Sequence, residues 1–154
     1  MSPRLSKSTV TTIVRLSKII EIVLVDFGLT LNQFRLLSLV EEGVTSSTEV
    51  GVRLAMKAPN VTAMTNGLID RGLLVRVQDS EDRRKAHLTL ADDGATLLAK
   101  ADQRCHEALL HVVEHAQASP NLLDQLDAWL PVLQTTATDL RISLAEGSQL
   151  SQDR

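Results

Sequence analysis

Glu107, His111 and His115 are the residues of this chain whose types and spacing could form a metal site. They follow one another at four-residue steps, which places a carboxylate and two imidazoles on one face of a helix. Such a set could share a zinc ion, and Glu41 or Glu42 are conceivable additional ligands. The first two predicted helices supply no cysteine or histidine, however. Solvated helix residues are therefore the favoured interpretation, with metal sensing as the alternative.

Cys105 is the only cysteine, so the chain cannot form an internal disulfide framework, which fits a reducing compartment. A cationic neighbour, Arg104 or His106, could lower the pKa of this thiol and make it sensitive to peroxide. A packing cysteine, buried or half-buried, is the favoured interpretation. The sequence contains no glycine-flanked nucleophile, phosphate-binding loop or nucleotide-binding glycine pattern. We therefore expect neither an enzyme nor a cofactor.

A charged run, Asp79-Ser-Glu-Asp-Arg-Arg-Lys85, separates two aliphatic segments. The segments Leu73 to Val77 and Ala86 to Leu90 have the composition of paired strands, which makes the run the tip of a hairpin. Within the tip, Asp82 could hold the guanidinium of Arg84 in one orientation. A fixed, planar guanidinium is what a narrow DNA minor groove attracts. A charge run is usually a solvated loop, but the helices that precede this one favour contact with DNA.

A helix is predicted after the turn Met56-Lys57-Ala58, with Pro59 in its first turn, where proline is tolerated. Its apolar residues recur at steps of three, four and one and should be buried: Val61, Met64, Leu68 and Ile69. The residues left exposed are small or polar: Asn60, Thr62, Ala63 and Asn66. Asparagine can pair bidentately with adenine, and an alanine methyl can touch a thymine methyl. An ordinary solvated helix would instead carry Glu–Lys pairs, so this face is predicted to read base edges.

Long helices flank this region. The segment Thr9 to Phe27 is apolar on nearly every side, which requires burial against a second subunit or at the centre of the core; a dimer contact is favoured. Gly28 should end that helix, and Thr30 or Asn32 should cap the next one. A further long helix is predicted from Asp92 or Asp93 to about Ala118. After a break at Ser119-Pro120, a last helix would run to Leu144, with a kink or restart at Pro131.

Composition sets the broad class of the protein. A chain of 154 residues that is 44% apolar can form one ordinary domain. No apolar run is long enough to span a bilayer and the N-terminus lacks a signal-peptide layout, so a cytoplasmic protein without a membrane partner is expected. The net charge is only -3. Its bases are enriched between Ser47 and Leu90 and its acids after Ala91, which suits one face for DNA and another for association.

Together these segments predict a mainly α fold with a small β-hairpin wing, a winged helix-turn-helix with N- and C-terminal dimerisation helices. They resemble the MarR family of bacterial transcriptional regulators. The matching stretches are Leu29 to Leu37, Asn60 to Thr65, Arg71 to Val75, Asp82 to Arg84, Leu88 to Leu90, and Gly94. Residues 1–154 are accordingly predicted to be a single chain of this type, with a DNA-binding lobe at 29–94 and dimerisation helices at 9–27 and 95–145.

The resemblance implies roles for individual residues. In that family the helix matching Asn60 to Asn66 enters the major groove, the arginine matching Arg84 reaches the minor groove, and the carboxylate matching Asp82 steadies it. First and last helices of two chains intertwine to make the dimer. The residues expected to contact DNA are Lys57, Pro59, Asn60, Thr62, Ala63, Asn66, Arg83, Arg84 and Lys85.

Two positions depart from the family pattern. Ala91 stands where a threonine usually caps the long helix, so capping should pass to Asp92 or Asp93. Ala58-Pro59 replaces a hydroxyl-rich start of the helix that reads DNA.

The expected function is sequence-specific regulation of transcription, more often repression in such families. The regulator would be a homodimer on a pseudopalindromic operator in double-stranded DNA, with its reading helices about one helical turn apart. A small-molecule effector, if one acts, would bind in the crevice between the dimerisation helices and the DNA-binding lobe. The alternatives are a winged-helix module that binds proteins without reading DNA, supported by the weak local charge, and a zinc-responsive regulator.

Overall fold

The computed structural model describes residues 7–79 and 86–116, together with 125, 128–133 and 136. Its elements in chain order are α1 (Lys7–Val25), α2 (Leu31–Glu41), α3 (Ser47–Arg53), α4 (Ala58–Asp70), β1 (Leu74–Gln78), β2 (Ala86–Leu90) and α5 (Asp92–His115). The two strands form one antiparallel hairpin. The predicted class, mainly α with a small wing, is confirmed.

Four helices end in the same way, with a residue at positive φ followed by an apolar residue. Gly28, Gly43 and Gly72 have φ values of 62°, 93° and 70°, and Ala55 has a φ of 53°. In each case the N–H of that residue bonds to the carbonyl three positions earlier, and the next N–H bonds to the carbonyl five positions earlier. This is the Schellman cap, which satisfies carbonyls at the helix end. A glycine in the sequence indicates three of these helix ends, whereas alanine at position 55 gives no such signal.

The sequence predicts the helix starts less well than the helix ends. Thr30, one of the two predicted caps of α2, forms a capping box: its Oγ1 accepts from the N–H of Gln33 at 3.2 Å, and the Gln33 side chain accepts from the N–H of Thr30 at 2.9 Å. The predicted capping of α5 by Asp92 or Asp93 is wrong. Ala91 is the N-cap and forms no side-chain cap, and both aspartates already lie in the first turn. There their negative charges interact favourably with the positive end of the helix dipole, but their side chains form no cap.

One apolar core joins α1, the helix-turn-helix and the hairpin to α5. Its fully buried members include Leu24, Leu36, Leu68 and Leu88. α5 approaches the start of the hairpin so closely that a Cβ built on Gly94 would stand 2.0 Å from the carbonyl oxygen of Leu73. That carbonyl accepts from the N–H of Ala91 at 3.1 Å. Glycine at 94 therefore lets α5 pack directly on backbone.

Element bounds differ slightly from those predicted. The first strand begins at Leu74 rather than Leu73, because the N–H and the carbonyl of Leu73 are used by the α4 cap and by Ala91. α1 ends at Val25 rather than Phe27. Most of the last predicted helix lies outside the described residues. Pro131 stands in a helical stretch at 130–133 that follows a turn at 128–129, as the predicted restart requires.

A row of large apolar side chains on α1 stays exposed in the single chain. Its members are Val10, Ile13, Val14, Ile22 and Val25, each more than half accessible. Leu24, near the C-terminal end of the same helix, is fully buried. The core of this chain therefore covers only part of the apolar surface of α1. No described helix is long and apolar enough to cross a membrane.

Candidate nucleic-acid interface

The pair α3 and α4 forms a helix-turn-helix whose geometry depends on two small residues. Ala55 adopts the left-handed conformation in the turn between the helices. On α3, a Cβ at Gly51 would stand 3.4 Å from both the Met56 carbonyl and a methyl of Val61. A side chain at 51 would therefore be in close van der Waals contact with the turn and with α4, so glycine suits the packing of α3 against α4.

The exposed face of α4 matches the prediction. Asn60, Thr62, Ala63 and Asn66 are all exposed, while Val61 and Leu68 are buried and Met64 and Ile69 are half-buried. Lys57 is the N-cap, with Pro59 in the first turn, and both are exposed. The whole predicted set between 57 and 66 therefore lies at the surface. No acidic side chain lies among its positions.

Thr65 is a buried residue of α4 that sequence reasoning missed. Its side chain is fully buried, and its Oγ1 has no hydrogen-bond partner among the residues that the structure describes. The signal was present in the spacing, because 61, 65 and 68 lie on one side of a helix. Its burial was not predicted because threonine is polar.

Arg76 is a second residue that the sequence did not single out. It lies on β1, and its Nη2 donates to Oδ1 of Asn66 at 3.3 Å. A guanidinium can only donate, so Oδ1 of Asn66 accepts this bond with one of its two lone pairs. The contact joins Asn66 to β1, whereas Asn60 lies exposed at the start of the same helix. The bidentate pairing of these asparagines with adenine stays a prediction.

The wing is a regular hairpin whose pairing runs from Leu74↔Leu90 to Gln78↔Ala86. Leu74 and Leu88 are buried, whereas Val75 and Val77 on the other face are exposed. The four wing residues predicted to act on DNA, Asp82, Arg83, Arg84 and Lys85, lie outside the described residues.

Three side chains join the wing to the loop before α3. Nδ1 of His87 lies 3.1 Å from Oγ1 of Thr45, and its Nε2 lies 2.8 Å from Oδ2 of Asp79. The N–H of Leu88 donates to the carbonyl of Thr45 at 2.9 Å. The wing is thus attached to the helix-turn-helix through backbone and side chains.

The proposed metal set on α5 does not assemble into a site. Glu107, His111 and His115 are exposed, and Glu107 accepts hydrogen bonds from Gln103 at 3.1 Å and from Arg104 at 2.6 Å. These bonds lower the pKa of the Glu107 carboxyl. The two imidazoles contact each other with ring centroids 3.9 Å apart. Within the described residues, no group of three or more His, Cys, Asp or Glu side chains could hold a metal ion.

Cys105 is a buried packing residue, as favoured from the sequence. Burial, followed by the negative charge of Asp102, raises the pKa of its thiol. A peroxide-sensing thiol requires a lowered pKa, so the activation by Arg104 or His106 that was considered does not occur.

A cavity of about 280 Å³ lies between α2, α3 and the helical stretch near residue 130. Leu39, Leu54, Leu130 and Leu133 give it apolar walls, and its charged groups are the cations of Arg35 and Arg53 and the carboxylate of Glu42. The Nη2 of Arg53 is paired with Glu49 at 2.7 Å. The cavity lies between the DNA-binding lobe and the segment predicted to serve dimerisation.

Comparisons with known proteins agree with this architecture. The model of the MarR family matches residues 27–85. YhbI of Bacillus subtilis (strain 168), described as an uncharacterized HTH-type transcriptional regulator, is 33% identical over 132 residues, or 84% of this chain and 79% of that protein.

Two solved structures show the same fold. The transcriptional repressor CouR bound to a 23-mer DNA duplex is 29% identical, with a TM-score of 0.64 over 87% of this chain and 92% of that one. NadR in complex with 4-hydroxyphenylacetate is 21% identical, with a TM-score of 0.66 over 86% of this chain and 98% of that one. From the fold, the interface and these relatives, the chain belongs to the MarR family of winged-helix transcriptional regulators.

Proposed function

We propose that the protein is a sequence-specific DNA-binding repressor that acts as a homodimer on a pseudopalindromic operator. The observation that carries the proposal is the exposed face of α4, from Asn60 to Asn66, which is small and polar and can approach base edges closely. CouR, a repressor in its DNA complex, shares the fold at 29% identity. A regulator must share a compartment with DNA, so we place it in the cytoplasm.

In the proposed interface, α4 contacts the bases and the wing forms a separate set of contacts. Asn60 offers both amide atoms to a base, and Asn66, held by Arg76 at 3.3 Å, offers its NH2 to an acceptor such as guanine O6 or N7. Thr62 and Ala63 supply a hydroxyl and a methyl beside them. Lys57 at the start of α4 suits a phosphate.

The wing supplies the second half of the interface. We assign Arg84, steadied by Asp82, to the minor groove, and Arg83 and Lys85 to neighbouring phosphates.

Dimerisation follows from the uncovered face of α1. Exposed apolar residues such as Val14, Ile22 and Val25 lie on one side of α1, which a second copy of the chain would bury. Two copies related by a two-fold axis present two α4 helices to one side of a duplex, and an inverted repeat is the sequence that matches such symmetry.

A small-molecule effector would occupy the cavity between α2, α3 and residues 130–133. Its apolar walls suit a small apolar molecule. Arg35 could pair with an acidic group on that molecule, because Arg53 is already paired with Glu49. A molecule bound there would change the separation of the two α4 helices if it fitted one spacing better than another.

The proposal is tested by electrophoretic mobility shift on the promoter region of the protein's own gene, across a salt series. Wild-type protein should retain this duplex at moderate salt and release an unrelated duplex of the same length. Arg84→Ala should weaken retention by about tenfold. Lys57→Ala should reduce the salt dependence by about one phosphate contact, whereas Lys100→Ala, which removes the same charge from α5, should not.

Equal and negligible retention of all duplexes would contradict the proposal. That result would favour the alternative, a protein-interaction module.

A further inference from the structure

A hydrogen-bonded chain of three side chains lies at the root of the wing. Asp79 directly follows β1, His87 is the second residue of β2, and Thr45 lies in the loop before α3. His87 links the other two, with 2.8 Å from Nε2 to Asp79 and 3.1 Å from Nδ1 to Thr45. All three residues are half-buried. One imidazole therefore spans the junction between the wing and the helix-turn-helix.

The chemistry of the three groups gives the hydrogen bonds a direction. A carboxylate can only accept, so Nε2 of His87 carries the proton that is donated to Asp79. In the neutral ring this leaves Nδ1 as an acceptor, and the hydroxyl of Thr45 donates to it. Each of these three side chains is then paired, because the neutral imidazole offers one donor nitrogen and one acceptor nitrogen.

The position of this chain of contacts matters for the wing. The ladder ends at Gln78↔Ala86, next to both Asp79 and His87, and the sequence between these strands holds Arg83, Arg84 and Lys85. An isolated two-stranded hairpin is at best marginally stable in water. Contacts that secure its last paired residues therefore affect how often the hairpin opens.

We infer that His87 is a positioning residue that fixes the wing to the helix-turn-helix through Thr45 and Asp79, so that the bases of the tip stay aligned with α4. The inference rests on the proposed function, because alignment with α4 has a consequence only if the protein binds DNA. His87 acts through the arginines of the tip.

The first test needs no DNA. Cleavage by trypsin after Arg76, which pairs with Leu88 in the ladder, requires the hairpin to open, so the rate of this cleavage follows the population of opened wing. His87→Phe keeps a ring but removes both hydrogen bonds, and Thr45→Val keeps the shape of its side chain but removes one. We expect wing cleavage to accelerate by about tenfold in His87→Phe and about threefold in Thr45→Val.

Asp79→Asn is the matched control for the first test, because an amide oxygen still accepts from Nε2 of His87. It should stay within about twofold of the wild-type cleavage rate. Wild-type rates in both His87→Phe and Thr45→Val would overturn the inference. Equal acceleration at Arg53 and Lys57 would also overturn it, because that result would mean general loosening of the lobe.

The second test is a double-mutant cycle on the promoter-region duplex that wild-type protein retains. His87→Phe should weaken binding by about tenfold in the wild-type background and by less than about twofold in Arg84→Ala, since the tip no longer contributes there. The same loss in both backgrounds would overturn the inference. If wild-type protein retains no duplex, the proposed function fails, and trypsin cleavage alone decides whether His87 secures the wing.

Discussion

Residues on α4 lie in two opposite environments, solvent and core. Asn60 and Ala63 face solvent, whereas Thr65, one turn further on, is fully buried beside Val61 and Leu68. Its hydroxyl has no hydrogen-bond partner within the described part of the chain. A buried donor without a partner loses its water and gains nothing in return. Thr65 therefore weakens the packing of the helix that presents the interface.

Replacing Thr65 by valine tests this reading, because valine keeps the branched shape and removes the hydroxyl. We expect Thr65→Val to raise the free energy of unfolding by about 1 kcal/mol, measured by urea denaturation. Thr65→Ser is the control; it keeps the hydroxyl, loses a buried methyl, and should lower stability by about 1 kcal/mol. A loss of stability in Thr65→Val would show that the hydroxyl is satisfied after all.

Cys105 gives a prediction about reactivity. Burial, together with the charge of Asp102, raises the pKa of its thiol, so less thiolate is present at neutral pH than in a free cysteine. Alkylation by iodoacetamide at pH 7 should be at least about tenfold slower in native protein than in urea. The native rate should increase only as the pH rises toward the raised pKa. Equal rates in native and unfolded protein would contradict the packing role.

Contacts between elements set the orientation of the wing relative to the helices. α5 packs on the backbone at Leu73, just before β1, and Gly94 is the residue that permits this contact. The same carbonyl of Leu73 is bonded to Ala91. These two contacts fix the start of α5 against the start of the wing, so neither can move without the other.

Gly94→Ala should accordingly destabilise the protein. A Cβ only 2.0 Å from the Leu73 carbonyl oxygen forces α5 away from the hairpin, which we expect to cost at least about 2 kcal/mol. Gly67→Ala on α4 is the matched control: nothing lies within 4 Å of its Cβ position, so it should be neutral or stabilising by about 0.5–1 kcal/mol. Similar melting temperatures for the two variants would contradict the close approach.

Helix ends and exposed helix faces could be predicted from the sequence where one residue type determines the local structure. Gly28, Gly43 and Gly72 mark helix ends because left-handed φ favours glycine, and the apolar steps of α4 determined its exposed face. Ala55 shows the limit. Its left-handed conformation lies in the turn between α3 and α4, and no residue type there predicts it.

Side-chain partners at the site were the part that the sequence could not supply. The bond from Arg76 to Asn66 joins β1 to α4, and His87 joins the wing to Thr45 across 42 positions of sequence. Such pairs depend on how elements pack, which periodicity does not encode. The wrong cap predicted for α5 has a similar origin, because Ala91 is held by the carbonyl of Leu73 rather than by a side chain.

At the scale of the whole molecule, the account requires a second copy on α1. Ile22 is 61% exposed and lies in the apolar row, so Ile22→Glu would place a charge in the proposed interface. We expect wild-type protein to sediment as a dimer and Ile22→Glu as a monomer at the same concentration. Val52→Glu, which replaces an exposed apolar residue on α3, should remain dimeric. A monomeric wild-type protein would contradict the proposed dimer.

The central claim is that two copies of the exposed α4 face read one duplex. Selection of bound sequences from a random pool of duplexes tests it most directly, with Asn60→Ala as the comparison. Wild-type protein should enrich an inverted repeat whose half-site centres lie about 10 base pairs apart, and Asn60→Ala should lose the preference at one position of each half-site. Recovery of unenriched sequence with wild-type protein, or of an unchanged motif with Asn60→Ala, would contradict the claim.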